Sequence, residues 1–192
     1  MSILKDRIWI TCKTRMFSEK RYRWYDLASH FFLTYMSLLI IVAFVFSNEL
    51  VLAVPHFDKI TITLALFVFT TSLIIYGFRF SEMANKHRDC YLKLQHLERT
   101  FDQQSDPEAA YQEILSCYPN HEQRDYEDLV LDRTFFGKRG LKIGEERIKW
   151  TYWLLLKKAI RFVVFWFLIL APPLSVSTFF LLPFLSDLSG TQ

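Results

Sequence analysis

The sequence predicts an all-α integral membrane protein: a transmembrane hairpin with a helical cytoplasmic extension and a third, Pro-broken apolar segment. Two apolar runs, Ser29–Phe46 and Ile60–Phe78, contain no acid, Lys or Arg, and each is about as long as the ~20 residues that a membrane-crossing helix needs. A third uncharged run, Phe162–Leu185, contains Pro172 and Pro173. Because lipid offers no water to backbone groups, such runs cross as helices. The remaining part of a 192-residue chain is too small to bury three of them.

The distribution of Lys and Arg predicts the orientation of these runs. Residues 1–28 hold seven basic residues and residues 79–161 hold fifteen, whereas the link 47–59 holds one. Because positive charge resists translocation, we expect both long basic segments in the cytoplasm and the link outside. If segment 162–185 crosses completely, the tail 186–192 lies outside; if that segment is re-entrant, the tail returns to the cytoplasm.

The segment before the first run alternates aromatic and basic residues. Trp9, Phe17, Tyr22, Trp24 and Tyr25 lie among its cations. Such a helix is typical of the inner leaflet, with rings at the headgroups and cations on phosphates. A nucleic-acid surface has similar chemistry. Because the segment runs directly into the first span, residues 1–28 are predicted to form an interfacial or cytoplasmic helix.

The second span is predicted to continue as a cytoplasmic stalk. Apolar and weakly polar residues after Phe78 follow alternating spacings of four and three, typical of a coiled-coil seam. The seam contains Met83, His87, Cys90, Leu94, Leu97 and Phe101. We expect Met83, Cys90, Leu94, Leu97 and Phe101 to form an oligomer stalk; the alternative is that this seam packs only against the helix Pro107–Cys117 of the same chain.

Within the second span, Thr63, Thr70 and Gly77 recur every seven residues and so share one helix face. Small and hydroxyl residues let helices approach closely in lipid. The same stripe could line a narrow aqueous path in an oligomer. These three residues are therefore predicted to serve helix packing or a pore.

The rest of region 79–161 predicts further helices and no strand. Asp106 and Pro107 are typical of a helix start, and Gly137-Lys138-Arg139-Gly140 follows a later helix. Backbone amides and the two cations of that loop could bind a phosphate-bearing ligand, or the loop could be a flexible turn. The acidic residues of the later helix are interpreted as a solvated face; they are Glu122, Asp125, Glu127, Asp128 and Asp132.

No catalytic motif is present in the sequence, and no catalytic residue, cofactor or metal is predicted. His87, Cys90, Cys117 and His121 could in principle gather around zinc, but their spacing is not that of a known zinc module. We therefore predict that the chain is not an enzyme.

Several segments together resemble the SLATT family, the two-transmembrane effector domains of bacterial conflict systems. They are the basic-aromatic lead-in Arg15–Tyr25, the hairpin with its cytoplasmic extension, Tyr111–Leu115, and the pair Tyr118-Pro-Asn-His121 and Asp125-Tyr126. The resemblance covers roughly residues 5–155 and implies an oligomeric effector of the bacterial inner membrane with a cytoplasmic N-terminus. The third run lies outside the two-span core of the family.

The resemblance also implies a function in anti-phage defence. A partner sensor would be a nucleotide cyclase acting through a second messenger, or a retron-type reverse transcriptase. The effector would then breach or depolarise the membrane and kill or arrest the infected cell. An alternative is a membrane-tethered helical adaptor that recruits a cytoplasmic enzyme without forming a pore. A membrane enzyme is disfavoured because the spans contain no polar catalytic groups.

Overall fold

A computed structural model describes residues 3–136, 142–143, 146–147 and 152–189, and it confirms the all-α class. The helices are α1 (Ile3–Val45), α2 (Ser47–Ala53), α3 (Phe57–Phe78), α4 (Phe80–Arg99), α5 (Pro107–Ser116), α6 (Gln123–Leu131) and α7 (Tyr152–Ser189). A 3-10 turn at Phe101–Gln103 follows α4, and a π-helical turn at Asp132–Phe136 follows α6. Two strands that the sequence did not predict, β1 (Lys142–Ile143) and β2 (Glu146–Arg147), pair antiparallel. A strand of two residues is too short to show an alternation of polar and apolar side chains.

The chain divides into two compact units. The polar unit comprises Met1–Tyr25 and Phe80–Arg161, and the apolar unit comprises Asp26–Arg79 and Phe162–Gln192. Helices α1 and α7 each contribute residues to both units without a break in the helix. Each of these two helices therefore connects the two units without an intervening loop.

The first core of the polar unit joins α1, α4 and α5. Its buried members are Ile8, Cys12, Cys90, Leu94, Leu97 and Tyr111, with Phe101 partly buried beside them. The predicted seam of α4 is thus a buried face, but α1 and α5 of the same chain cover it. This differs from the predicted oligomer stalk, because side chains such as Leu94 (0% exposed) have no surface left for a second subunit.

The second core of the polar unit lies on another face of α1. Ile10 packs against Leu129 and Val130 of α6, and Leu154 of α7 lies beside them. Residues 3–25 of α1 thus pack on α4 and α5 and also on α6, whereas Trp24 is 56% exposed, so the prediction of an interfacial or cytoplasmic helix for residues 1–28 stays a prediction. Some of its basic and aromatic side chains pair within the unit. For example, the guanidinium of Arg7 lies over the ring of Tyr111 at 5.7 Å.

The apolar unit contains two clusters of buried side chains. One joins α1, α3 and α7 around Phe32, Met36 and Val68, with Val176 packed against it. The other contains Ala43, Leu50, Val54, Phe57 and Phe180, so the predicted link 47–59 folds back as α2 and packs on the spans. Among the described residues, three helices are long and apolar enough to cross a membrane. Their large exposed apolar side chains suit a lipid environment.

The second span and the stalk are not one unbroken helix. Helix α3 ends at Phe78, and Arg79 adopts a left-handed conformation with φ 47° and ψ 47°. A non-Gly residue in this region is uncommon and interrupts the helical hydrogen bonds. Side-chain periodicity does not report backbone φ, so the sequence pattern gave no sign of the break.

Helix α7 continues through Pro172 and Pro173, whereas the sequence predicted a break. Each proline lacks an N–H and removes one helical hydrogen bond. In lipid there is no water to stabilise an opened turn, so the helical conformation is kept. Nearby hydroxyls are satisfied locally, since Ser175 donates to the carbonyl of Pro172 at 2.9 Å and Ser177 to that of Pro173 at 2.7 Å.

Candidate functional site

A buried polar cluster joins α1, α4 and the start of α6 in the polar unit. We define the polar cluster as Arg15, Ser18, Arg21, His87, His121 and Asp125. Arg15, Ser18 and Asp125 are 0% exposed, and His87 is 1% exposed. Buried charges at this depth are costly unless they are paired. Because its charged groups must stay paired, the cluster joins α1 to α4 and to the start of α6.

Asp125 is the centre of the cluster. Its carboxylate accepts hydrogen bonds from Ser18 Oγ at 2.7 Å, from Arg21 Nε at 2.8 Å and from Arg21 Nη2 at 2.9 Å. It also accepts the backbone N–H of Glu122 at 3.2 Å, which caps the first turn of α6. Burial alone would raise the pKa of Asp125, but the bonds from Arg21 and Ser18 hold that pKa below its usual value. The ionised carboxylate thus fastens α6 to α1.

Arg21 completes this ion pair. Its guanidinium also lies 3.1 Å from a carboxylate oxygen of Glu122 and stacks over the ring of Tyr22 at 4.4 Å. Burial would lower the pKa of Arg21, yet the hydrogen bond and charge of Asp125 raise it above the usual value. Arg21 is therefore a permanent cation, and it pairs with the carboxylates of Asp125 and Glu122.

Arg15 connects α1 to α4 and to the loop before α6. Its Nη1 donates to the carbonyl oxygen of Pro119 and contacts Nδ1 of His87 at 3.3 Å. Its Nε and Nη2 have no hydrogen-bond partner within the described ranges. Burial lowers the pKa of this guanidinium. Arg15 is thus the least satisfied charge of the cluster.

His87 is a neutral acceptor in this arrangement. Burial and the charge of Arg15 lower its pKa to about 4, so its Nδ1 carries a lone pair near neutral pH. The ring stacks on Tyr22 with centroids 5.5 Å apart. His121 has a lowered pKa for the same two reasons. Both rings therefore remain uncharged beside two arginines.

The predicted solvated face is present only in part, because Glu122 and Asp132 are exposed but the acids between them are not. Asp125 is fully buried, and the Glu127 side chain is only 12% exposed. Glu127 pairs with Lys157 at 3.5 Å and Arg161 at 3.2 Å, while Asp128 pairs with Lys158 at 3.2 Å. These pairs fasten α6 to the start of α7. One local sign of the role of Asp125 was present, because an acid three residues after an N-cap can accept the N–H of the cap residue, as in a capping box.

Of the α4 seam, His87 belongs to the polar cluster, whereas Cys90, Leu94 and Leu97 lie in the apolar core with α1 and α5. Lys138 and Arg139 lie outside the described residues. Thr63, Thr70 and Gly77 lie exposed on α3 in the apolar unit. Of the zinc candidates, His87 is occupied by Arg15 and Cys117 is exposed, and no metal-binding group of His, Cys, Asp or Glu occurs in the described part of the chain.

The chemistry available to the polar cluster is conformational. Its one hydroxyl, that of Ser18, donates to Asp125, whose lowered pKa makes this carboxylate a weak base, and the thiol of Cys12 has a pKa raised by burial to about 11. What it offers is a set of charge-assisted bonds that hold α1 against α4 and α6. Because the members of such a network share hydrogen bonds and charge, the loss of one weakens the others.

Comparison with known families confirms the resemblance drawn from the sequence. The profile of the SMODS and SLOG-associating 2TM effector domain family 5 matches residues 1–179. No significant match is found among curated proteins or among solved structures. The matched residues contain the whole polar cluster and most of α7, although the family description counts two spans. The chain belongs to the SMODS and SLOG-associating two-transmembrane (SLATT) effector domain family, as a member of its family 5.

Proposed function

We propose that this chain is an oligomeric effector of the bacterial inner membrane, which breaches or depolarises the membrane when the partner sensor of an anti-phage defence system is triggered. The family is described as an effector domain, and three described helices suit a membrane. The observation that carries the proposal is the continuity of α1. One helix holds Arg15, Ser18 and Arg21 of the polar cluster and the first apolar span.

Helix α1 gives the proposed trigger a mechanical route. An unbroken α-helix transmits rotation or translation along its axis, because each turn is hydrogen-bonded to the next. Disrupting the bonds of Asp125 or Arg15 would free residues 3–25 to move relative to α4 and α6. The same movement would then reach residues 26–45 in the apolar unit.

A closed resting state is compatible with the apolar unit. Both of its buried clusters consist of apolar side chains, among them Met36, Phe57 and Phe180. Such clusters hold no water, so the unit need not conduct before a trigger. An effector requires this kind of two-state behaviour, in which a ligand or partner favours a conformation that is rare at rest.

Oligomerisation is proposed through the exposed stripe of α3 rather than through the seam of α4. The hydroxyls of Thr63 and Thr70 donate to carbonyls of their own helix at 2.8 Å and 2.9 Å. They therefore need no partner across an interface. At Gly77 a Cβ would meet nothing within 4 Å, so another helix could approach closely there. This stripe would pack between subunits first and line a path only after rearrangement.

The remaining parts of the proposal follow from charge and chemistry. The asymmetry of Lys and Arg supports a cytoplasmic N-terminus. The polar unit would then face the sensor, either a nucleotide cyclase acting through a second messenger or a retron-type reverse transcriptase. Lys138 and Arg139 are still proposed to bind a phosphate-bearing trigger. We propose no catalytic activity for the chain.

The continuity of α1 can be tested at Leu27, which is 61% exposed and lies just after the boundary between the units. Leu27→Pro should break α1 there, whereas Leu27→Ala keeps the helix at the same position. Membrane potential is measured in cells that contain the genetic neighbours, before and after phage infection. We expect depolarisation with the wild type and Leu27→Ala, and none with Leu27→Pro at equal membrane insertion. Normal depolarisation by Leu27→Pro would refute the mechanical route.

The adaptor is the second candidate, and a cleft in the polar unit favours it. The cleft between α4 and α5 has a volume of about 510 Å³ and includes Leu92, Ile114 and Cys117 in its lining. A partner protein could bind there without any pore. Intact oligomers that never depolarise the membrane after infection, while still recruiting a cytoplasmic protein through this cleft, would establish the adaptor instead.

A further inference from the structure

A cleft in the apolar unit has the chemistry of a lipid site. It lies between α1, α2 and α7 and has a volume of about 370 Å³. Apart from one pair of hydroxyl groups its lining is apolar, including Leu39, Val42 and Phe180. Val42 is 45% exposed and Leu181 is 56% exposed, so the cleft opens at the surface of the unit.

Water is a poor occupant of this cleft. A buried water needs two to four hydrogen-bonding partners. The two lining hydroxyls, Tyr35 Oη and Ser177 Oγ, lie 3.0 Å apart and bond to each other. Leaving the space empty would also be costly, because the lining side chains would lose van der Waals contacts. The stable occupant is therefore apolar.

We propose that the cleft holds one acyl chain of a membrane phospholipid, inserted between α1 and α7. Two of the helices that form it, α1 and α7, are long and apolar enough to cross a membrane, so acyl chains are the surrounding solvent. A flexible hydrocarbon chain can fill an irregular apolar cleft, and none of the described side chains that line it is charged and able to recognise a headgroup. The chain would rest beside the Tyr35–Ser177 bond that ties the two helices together.

The test fills the cleft from its rim. Val42→Trp places an indole in the opening, and Val45→Trp is the matched control, because Val45 lies on the same helix, is 68% exposed and does not line the cleft. The purified full chain is exchanged into mild detergent with an excess of a phosphatidylglycerol and phosphatidylethanolamine mixture. Retained phospholipid is then counted by native mass spectrometry and by lipid phosphorus.

We expect the wild type and Val45→Trp to retain one phospholipid per chain, and Val42→Trp to retain about tenfold less, which corresponds to about 1.4 kcal/mol. Helix content and assembly size should be equal for the three proteins. Equal retention by both variants, or no retained lipid in the wild type, would overturn the proposal. A smaller assembly for Val42→Trp alone would also overturn it, since the occupant would then be a second copy of this chain. Membrane depolarisation does not enter the test, so its result is separate from that of the proposed effector function.

Discussion

The two units use hydrogen-bonding groups in opposite ways. In the polar unit, the carboxylate of Asp125 accepts bonds from two side chains of α1 and from the backbone of α6, so it specifies contacts between helices. In the apolar unit, the hydroxyls of Thr63 and Thr70 return to carbonyls of their own helix. These bonds satisfy the two hydroxyls but make no contact with another helix. The polar unit is therefore specified by the chain itself, whereas the apolar unit depends more on its surroundings.

This difference indicates where a trigger would act. A network of buried charges is sensitive to one added charge or one lost partner, because each member compensates another. Apolar packing in lipid changes little with local chemistry, because lipid tails are as apolar as the side chains they replace. Under the proposed function, a trigger that binds the polar unit would therefore have a large effect there, and the unbroken α1 would transmit that effect.

The largest expected effect comes from removing the central carboxylate. Asp125→Ala leaves Arg15 buried with one counter-charge fewer and leaves Arg21 paired only with the partly exposed Glu122, and breaking a buried pair in this way costs about 3–5 kcal/mol. We expect limited proteolysis to cut the polar unit while the apolar unit stays protected in detergent. Asp89→Ala, an exposed acid of α4, is the control and should behave as the wild type. Equal protection of both variants would mean that the cluster does not hold the unit together.

The next effect concerns the seam of α4. Leu94 is fully buried by α1 and α5, so Leu94→Ala should lower the free energy of unfolding by about 2–5 kcal/mol. The size of the detergent-solubilised assembly should not change. Leu92→Ala, at a position that is 46% exposed, should cost little. A Leu94→Ala protein that dissociates into smaller assemblies without losing stability would restore the seam as a subunit interface.

The fold class could be predicted because apolar runs of membrane length have few alternatives. The buried face of α4 was equally clear, since its spacing of four and three is geometric. Of the two helices that cover that face, α5 was weighed as a partner and α1 was not, because period alone does not identify the helix that packs on an apolar face. The break at Arg79 and the continuity through Pro172 were also missed, since each depends on backbone context rather than on residue pattern.

The polar cluster was the main omission. Asp125 was interpreted as solvated because five acids in one helix usually face water. Its burial depends on Ser18 and Arg21, more than a hundred positions away, and such a distant partner leaves no local signal. The segment Tyr118–Asp125 that carries the family resemblance does contain the loop of this cluster. This motif is therefore part of the polar cluster, although its structural role could not be predicted from the sequence alone.

A smaller and graded effect is expected with pH. The pKa of His87 is about 4 in the folded chain, below the ordinary value of 6.5. The unfolded chain therefore binds the proton first, and stability should fall as pH drops from about 6.5 toward 4, by at most about 1.4 kcal/mol per pH unit for this group. His121, whose pKa is also lowered, adds to the loss in the same direction.

Thermal unfolding of the detergent-solubilised chain at several pH values measures this dependence. His87→Gln keeps an acceptor for Arg15 but cannot take up the proton, so its curve should be flatter between pH 6.5 and 4. His96→Gln, on the same helix but outside the cluster, should keep the slope of the wild type. The predicted role of His87 would be wrong if the two variants had the same slope.

The smallest effect should come from the apolar unit. Tyr35→Phe removes the hydroxyl that bonds Ser177 at 3.0 Å and so cuts a polar tie between α1 and α7. Hydrogen bonds between membrane helices contribute only about 0.6 kcal/mol on average, and Ser177 keeps its bond to the carbonyl of Pro173. We therefore expect unfolding in mixed SDS micelles to shift by less than about 1 kcal/mol, compared with Tyr76→Phe at a site that is 79% exposed. A loss as large as that of Asp125→Ala would show that the apolar unit, too, depends on a specific buried bond, and the contrast between the two units would fail.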